Sequence, residues 1–217
     1  MEKIKIAVSP SDQRKNVYNG QDTNEMEQMR RVGERLTESL MRCGFEVVYL
    51  PEGLLKNRVA KANAENVKAY IAPHSNAFDT KCRGIRTHHF PSVEGKKLAN
   101  CINAQLGAIY TGTVRAKLVE SSTLYELKYP AAPACLPEIG FHDNVTDAAW
   151  IVSSTDEIAE AICKGVCNYF NVPYVSRETA LYCVQVGAFS VRENAENMLK
   201  TVKNDYPNAF IKEVKQK

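Results

Sequence analysis

Along residues 4–170, short apolar runs alternate with longer stretches whose apolar residues recur at helical spacing, and that order restricts what the chain can fold into. Strands are expected at 4–10, Phe45–Leu50, Ala69–His74, Gly84–Phe90 and Ala134–Gly140. Between them, Met29, Val32, Leu36, Leu40 and Cys43 trace one helix face over 25–43, ended by Gly44. Further helices are expected at 55–66, 93–109, 145–152 and 156–170, the last with Ser154 and Glu157 in capping-box spacing. Strands alternating with helices predict an α/β fold: a largely parallel sheet flanked by helices on both faces.

After Phe170 the pattern changes. Residues 172–180 read as a linker. Leu181–Gly187 alternates as a strand, Ser190 and Glu193 have capping-box spacing, and Ala195, Met198, Leu199 and Val202 mark a helix face. Ala209–Val214 is a second strand candidate. The expected organisation is therefore a catalytic domain over 1–171, the linker, and a β-α-β unit over 181–217 too small to bury a core alone.

Composition excludes several classes. A net charge of +3 in 217 residues is too weak to indicate nucleic-acid binding. No stretch approaches the ~20 apolar residues of a membrane helix, and no export signal is visible. The seven cysteines show no CxxC pair, which suggests reduced thiols; Cys163 and Cys167, four apart on a predicted helix, read as packing residues. A chain of this kind is expected to be cytoplasmic as synthesised.

Three residues carry more chemistry than their surroundings require. His74 ends an apolar strand, where open α/β sheets bind ligands. Glu138 lies within the apolar run 134–141, where a carboxylate is costly unless paired, metal-bound or catalytic. Glu25 continues the stripe of Met29 back by four places onto the inward face of the first turn, whereas Glu27 falls on the charged face. Favourable placement at the helix dipole is the simpler account of Glu25.

Ala72-Pro73-His74-Ser75-Asn76-Ala77, Arg83-Gly84-Ile85 and Pro133-Ala134-Cys135-Leu136-Pro137-Glu138-Ile139-Gly140-Phe141 with Asn144 resemble, in order, the central motifs of the zinc-dependent N-acetylmuramoyl-L-alanine amidases of the autolysin and endolysin type. The resemblance covers about residues 3–170. It implies one zinc ion held by Glu25 and His74, with Glu138 as the catalytic carboxylate. It also implies hydrolysis of the amide between N-acetylmuramic acid and L-alanine in peptidoglycan. Asn76, Arg83, His88 and Lys128 are the candidate substrate-binding residues. His88 and His89 alternate faces on their strand, so at most one of them points at the site.

The chain departs from the family pattern after the first strand, where Asp12 stands in place of the usual histidine ligand. Three outcomes are open: Asp12 binds zinc in its place, His142 supplies the missing imidazole, or the site is degenerate. His142 follows the Glu138 strand at the same sheet edge, and it is favoured because a histidine appears there in the same chain that lacks the usual one. A degenerate site would leave a catalytically inactive wall-binding protein.

The string Tyr182-Cys183-Val184-Gln185-Val186-Gly187-Ala188-Phe189-Ser190 with Asn194-Ala195-Glu196 resembles the start of a sporulation-related (SPOR) peptidoglycan-binding repeat. A complete module has two such halves and 181–217 supplies one, so pairing with a second copy as a homodimer, or packing on the catalytic domain, is expected. The implied partner is peptidoglycan, reached after lysis or release.

Overall fold

A computed structural model describes residues 3–114, 116–177 and 184–214. The chain separates into two compact units, 1–177 and 178–217.

The first unit is built on a seven-stranded sheet. Strands β1 (Lys5–Val8), β2 (Glu46–Tyr49), β3 (Ala69–Ile71), β4 (His74–Asn76), β5 (Arg86–His89), β6 (Lys117–Glu120) and β7 (Ala134–Phe141) are ordered β2-β1-β3-β7-β5-β6, with β4 also paired to β7. All pairings are parallel except β5 with β7. The α-helices are α1 (Glu25–Arg42), α2 (Leu55–Ala64), α3 (Val93–Ile109), α4 (Tyr125–Lys128), α5 (Val145–Ser153) and α6 (Thr155–Phe170).

Alternation along the strands sends side chains into two cores, as a sheet covered on both faces requires. Ile6, Val8 and Ile71 pack under α1, α3 and α6, through Met29, Leu36, Leu98, Ile102, Ile158 and Ile162. Ala7, Tyr70, Ala72 and Leu136 face the other way, against Val59 and Ala62 of α2 and Leu127 of α4.

Several details differ from expectation. The strand expected over 69–74 is interrupted at Ala72-Pro73, because proline has no N–H to donate to a ladder. Its two halves pair with successive parts of β7, which sets His74 opposite Glu138. Ser154 closes α5 with its backbone N–H on the Trp150 carbonyl and leads directly into α6, but its side chain makes no capping hydrogen bond. Strand β6 and helix α4 were not predicted; each has only four residues, too few to establish a period.

In the second unit, α7 (Arg192–Val202) forms where the Met198 stripe placed a helix. Its N-cap is Val191, with no side-chain cap, so the Ser190–Glu193 box does not form. Residues 181–183 of the expected first strand lie outside the described residues, and 184–187 and 209–214 are not paired as strands. A two-stranded unit has too few partners to satisfy its ladder groups.

Candidate active site

The first helix begins one residue after Asn24, whose side chain accepts from the Glu27 backbone N–H and so fixes the start of α1. This start places Glu25 on the inward face with no solvent exposure, while Glu27 stays outside and accepts from the Thr23 hydroxyl. The Glu25 carboxylate accepts from Asn16 Nδ2 at 2.6 Å and from the Ser75 N–H at 3.3 Å.

His74 opens β4 at the carboxyl end of the parallel strands and faces a carboxylate with each ring nitrogen. Nδ1 is 3.1 Å from Glu25 Oε1, and Nε2 is 3.5 Å from Glu126 Oε2 without a hydrogen bond. Burial disfavours the His74 imidazolium, but Glu126 and Glu25 outweigh it and lift its pKa to about 10. Both carboxyls, although burial opposes their charge, are held below the usual range chiefly by His74.

Glu126 stands beside His74 with no pattern in the sequence that marks it. It is 3% exposed in α4 and accepts from the hydroxyls of Ser9 at 2.6 Å and Tyr70 at 2.7 Å. The signal available was an acidic residue between Leu124 and Leu127, but the segment is too short to assign a face.

His142 follows β7, and its backbone N–H bonds the Asn76 carbonyl. The ring stacks on Tyr18 with centroids 5.5 Å apart and an interplanar angle of 13°. Its Nδ1 lies 3.0 Å from Ser75 Oγ, which in turn accepts from the Tyr18 hydroxyl, and 4.0 Å from Glu25 Oε2. The two oxygens of Glu25 thus face the Nδ1 atoms of two histidines. Asp12 is turned elsewhere: its carboxylate is 2.8 Å from Arg58, which is itself buried and also bonds Ser9 and the Pro10 carbonyl.

Glu138 is the remaining carboxylate. Its Oε2 is buried without a hydrogen-bond partner, and burial, reinforced by the charge of Glu25, raises its pKa to about 7 against the opposing pull of His74. On the adjacent strand, His88 Nδ1 is likewise buried and unpartnered. Burial, then the charge of His74, lowers the His88 pKa. His89 is on the opposite face and its Nδ1 lies 2.8 Å from the Phe90 carbonyl, so one histidine of the pair is directed toward the site.

The other candidates are further out. Arg83 is tied to Asp147 Oδ1 at 3.1 Å, and the same fully buried carboxylate accepts from Gly84, Phe141 and Tyr110. Arg83 thereby fastens the 77–84 loop to α5. Asn76 accepts from the Ala77 N–H, and Lys128 lies exposed on α4 with its ammonium 5.4 Å from the Tyr129 ring centroid.

Two imidazole nitrogens flanking one carboxylate form a donor set suited to zinc. The fit is supported by His74, whose Nε2 faces Glu126 while Nδ1 is turned to Glu25, so that a second carboxylate stands behind the ring. The ligand atoms of Glu25, His74 and His142 do not all come within 4.8 Å of one another, although each imidazole Nδ1 is within 4.0 Å of a Glu25 oxygen.

Comparison with known proteins bears on the fold and the family. The profile of the N-acetylmuramoyl-L-alanine amidase family matches residues 11–168, and that of the SPOR domain matches 178–217. The chain is similar to the YqiI protein of Bacillus subtilis (strain 168), with 30% identity over 149 residues, 64% of this chain and 71% of that one. It is also similar to the sporulation-specific N-acetylmuramoyl-L-alanine amidase of the same organism, at 29% over 125 residues; the match spans 51% of this chain and about half of that protein, 49%. Among solved structures, the amidase AmiC2 of Nostoc punctiforme shares the fold with a TM-score of 0.71 at 19% identity, over 78% of this chain and 98% of that one. The CwlD amidase of Clostridioides difficile does so with a TM-score of 0.71 at 20% identity, over 78% and 99%. With its fold, its ordered motifs and most of its first unit accounted for, the chain belongs to the N-acetylmuramoyl-L-alanine amidase family.

Proposed function

We propose that the chain hydrolyses the amide between the lactyl group of N-acetylmuramic acid and the L-alanine of the stem peptide in peptidoglycan, using one zinc ion. The observation that carries this reading is the pair of histidine Nδ1 atoms on either side of Glu25, with the unpartnered carboxylate of Glu138 on the neighbouring strand.

Glu25, His74 and His142 would hold the ion. When bound, it supplies Lewis-acid chemistry, polarising the scissile carbonyl and acidifying water. Glu138 accepts the proton of the attacking water at its carboxylate and delivers it to the departing amine. A carboxyl with a pKa near 7 can do both at neutral pH. Glu126 places a negative charge 3.5 Å behind Nε2 of His74, and Tyr18 and Ser75 orient His142. His88, Asn76 and Lys128 would contact the substrate.

Digestion of purified cell walls tests the reading. The protein with zinc should release new amino termini that are L-alanine, and Glu138→Gln should lower the rate by about 10²–10⁴-fold while retaining zinc. New termini of another residue would reject the bond assigned. Unchanged turnover in Glu138→Gln would reject the role of Glu138.

A further inference from the structure

Three cysteines from distant parts of the chain meet on the helical side of the sheet. Cys43 caps the C-terminus of α1, with its backbone N–H on the Ser39 carbonyl. Cys163 and Cys167 are one turn apart on α6 and share the face turned to α1. The pair that read as packing in the sequence is completed by a third sulfur 120 positions away in the chain. All three are buried, their sulfurs lie within 4.8 Å of one another, and those of Cys43 and Cys163 are 3.7 Å apart.

We propose that Cys43, Cys163 and Cys167 form a second metal site, distinct from the His74 centre, that holds one soft closed-shell cation of the Cu(I), Zn(II) or Cd(II) class through three thiolates. The geometry supports it first. At a metal–sulfur distance of about 2.3 Å, three sulfurs around one ion are about 4 Å apart, so the observed spacing is close to that of the filled site. A disulfide needs about 2.0 Å between two sulfurs and leaves the third unused. Thiolates are also the ligands that soft cations select, and among the described residues no other trio of histidine, cysteine, aspartate or glutamate ligand atoms lies so close together.

The surroundings support it next. The Val175 N–H donates to Cys43 Sγ at 3.3 Å, an outer contact of the kind that stabilises a metal thiolate. Val175 is held in place because its carbonyl accepts from Arg42 Nε at 2.9 Å, while the Tyr174 hydroxyl donates to Glu160. Burial and then mutual proximity raise the pKa values of Cys163 and Cys167, so without a metal these thiols keep their protons. Arg42 draws Cys167 the other way. Binding exchanges three S–H bonds for three S–metal bonds and releases three protons to solvent. A divalent ion leaves one net negative charge, beside the Arg42 guanidinium. No oxidant or reductant is required.

Cadmium titration of the full-length, reduced, metal-stripped protein tests the site, because the His74 centre contains no sulfur and cannot give a thiolate-to-cadmium charge-transfer band. One equivalent of Cd(II) per chain should saturate that band. In mild urea, where the buried thiols open to reagent, the same equivalent should slow alkylation of Cys43, Cys163 and Cys167 relative to the metal-free protein, located by mass mapping, while Cys82 and Cys101 react at the same rate with and without it. Cys163→Ser should weaken cadmium binding read from the band by at least tenfold, and Cys101→Ser should leave it unchanged. If Cys163→Ser fails to fold, alkylation mapping of the unaltered chain decides alone. Absence of the band, protection at Cys82 or Cys101 in place of the trio, or mild oxidation to a Cys43–Cys163 disulfide without any cadmium uptake would each overturn the proposal.

Discussion

His74 has a different carboxylate on each ring nitrogen, and this separates the roles of Glu25 and Glu126. Glu25 shares its two oxygens between His74 and His142, which is the position of a ligand. Glu126 lies behind the ring, held by Ser9 and Tyr70, which is the position of an orienting group. Glu126→Gln keeps the shape and removes the charge, so zinc affinity should fall by about 10–100-fold, the usual cost of losing an orienting partner. Turnover at saturating zinc should change little. Glu25→Gln should abolish stoichiometric zinc. Competition against a chelator measures both, and a Glu126→Gln protein within twofold of the unaltered affinity would remove Glu126 from the site. The same titration ranks the two candidates for the third ligand. His142→Ala should weaken zinc, and Asp12→Ala should not, because Asp12 is spent on Arg58. Equal affinities for the two variants would count against His142. Glu25, His74 and Glu138 could be read from sequence because each broke a pattern that was otherwise apolar. Glu126 could not, since its helix has four residues and its hydrogen-bond partners Ser9 and Tyr70 lie 117 and 56 positions away in the chain.

At the scale of elements, the long helices were legible because an 18-residue amphipathic stripe such as that of α1 leaves little choice of type or face. Short elements were not: β6 and α4 are set by what they pack against, and capping-box spacing at Ser154 yielded to the direct junction of α5 with α6. The break of the β3–β4 run at Pro73 was visible as a residue but not as a geometry. Its effect, a change of register that sets His74 against Glu138, exists only once β7 is alongside. Packing between helices is similarly exact where α6 crosses α3. A Cβ added at Gly165 would lie 2.5 Å from Ile102 Cα and 2.9 Å from its N, and backbone cannot turn aside as a side chain can. Gly165→Ala therefore forces the helices apart. Overpacking of this kind costs about 1–3 kcal/mol, against a helix-propensity gain of about 1 kcal/mol. The expected result is a net loss of stability, seen as a lower urea midpoint with an unchanged slope. A raised midpoint would show that α3 and α6 separate without penalty.

The first unit has two buried cores, whereas among the described residues of the second, 184–214, none is buried. Among the described residues of 184–214, α7 has no buried side chain, and Val184, Val186, Phe189, Phe210 and Val214 are exposed. Such an apolar set on a unit of this size is costly in water, at about 25 cal/mol per Å² left uncovered, and marks a surface that associates. The SPOR match over 178–217 and this exposed apolar set make a second copy of the same segment a cover of matching chemistry. We propose that the second unit mediates a homodimer and carries peptidoglycan binding in that form. Deleting 178–217 should then halve the molar mass measured by light scattering and reduce co-sedimentation with purified walls. Hydrolysis of a soluble muramoyl-peptide should survive, because every residue assigned to the zinc site lies before 178. If the full chain is already monomeric at micromolar concentration, pairing is rejected. If the deleted chain sediments with walls as before, the first unit alone binds the polymer. Loss of soluble-substrate hydrolysis on deletion would show instead that the active site depends on the tail.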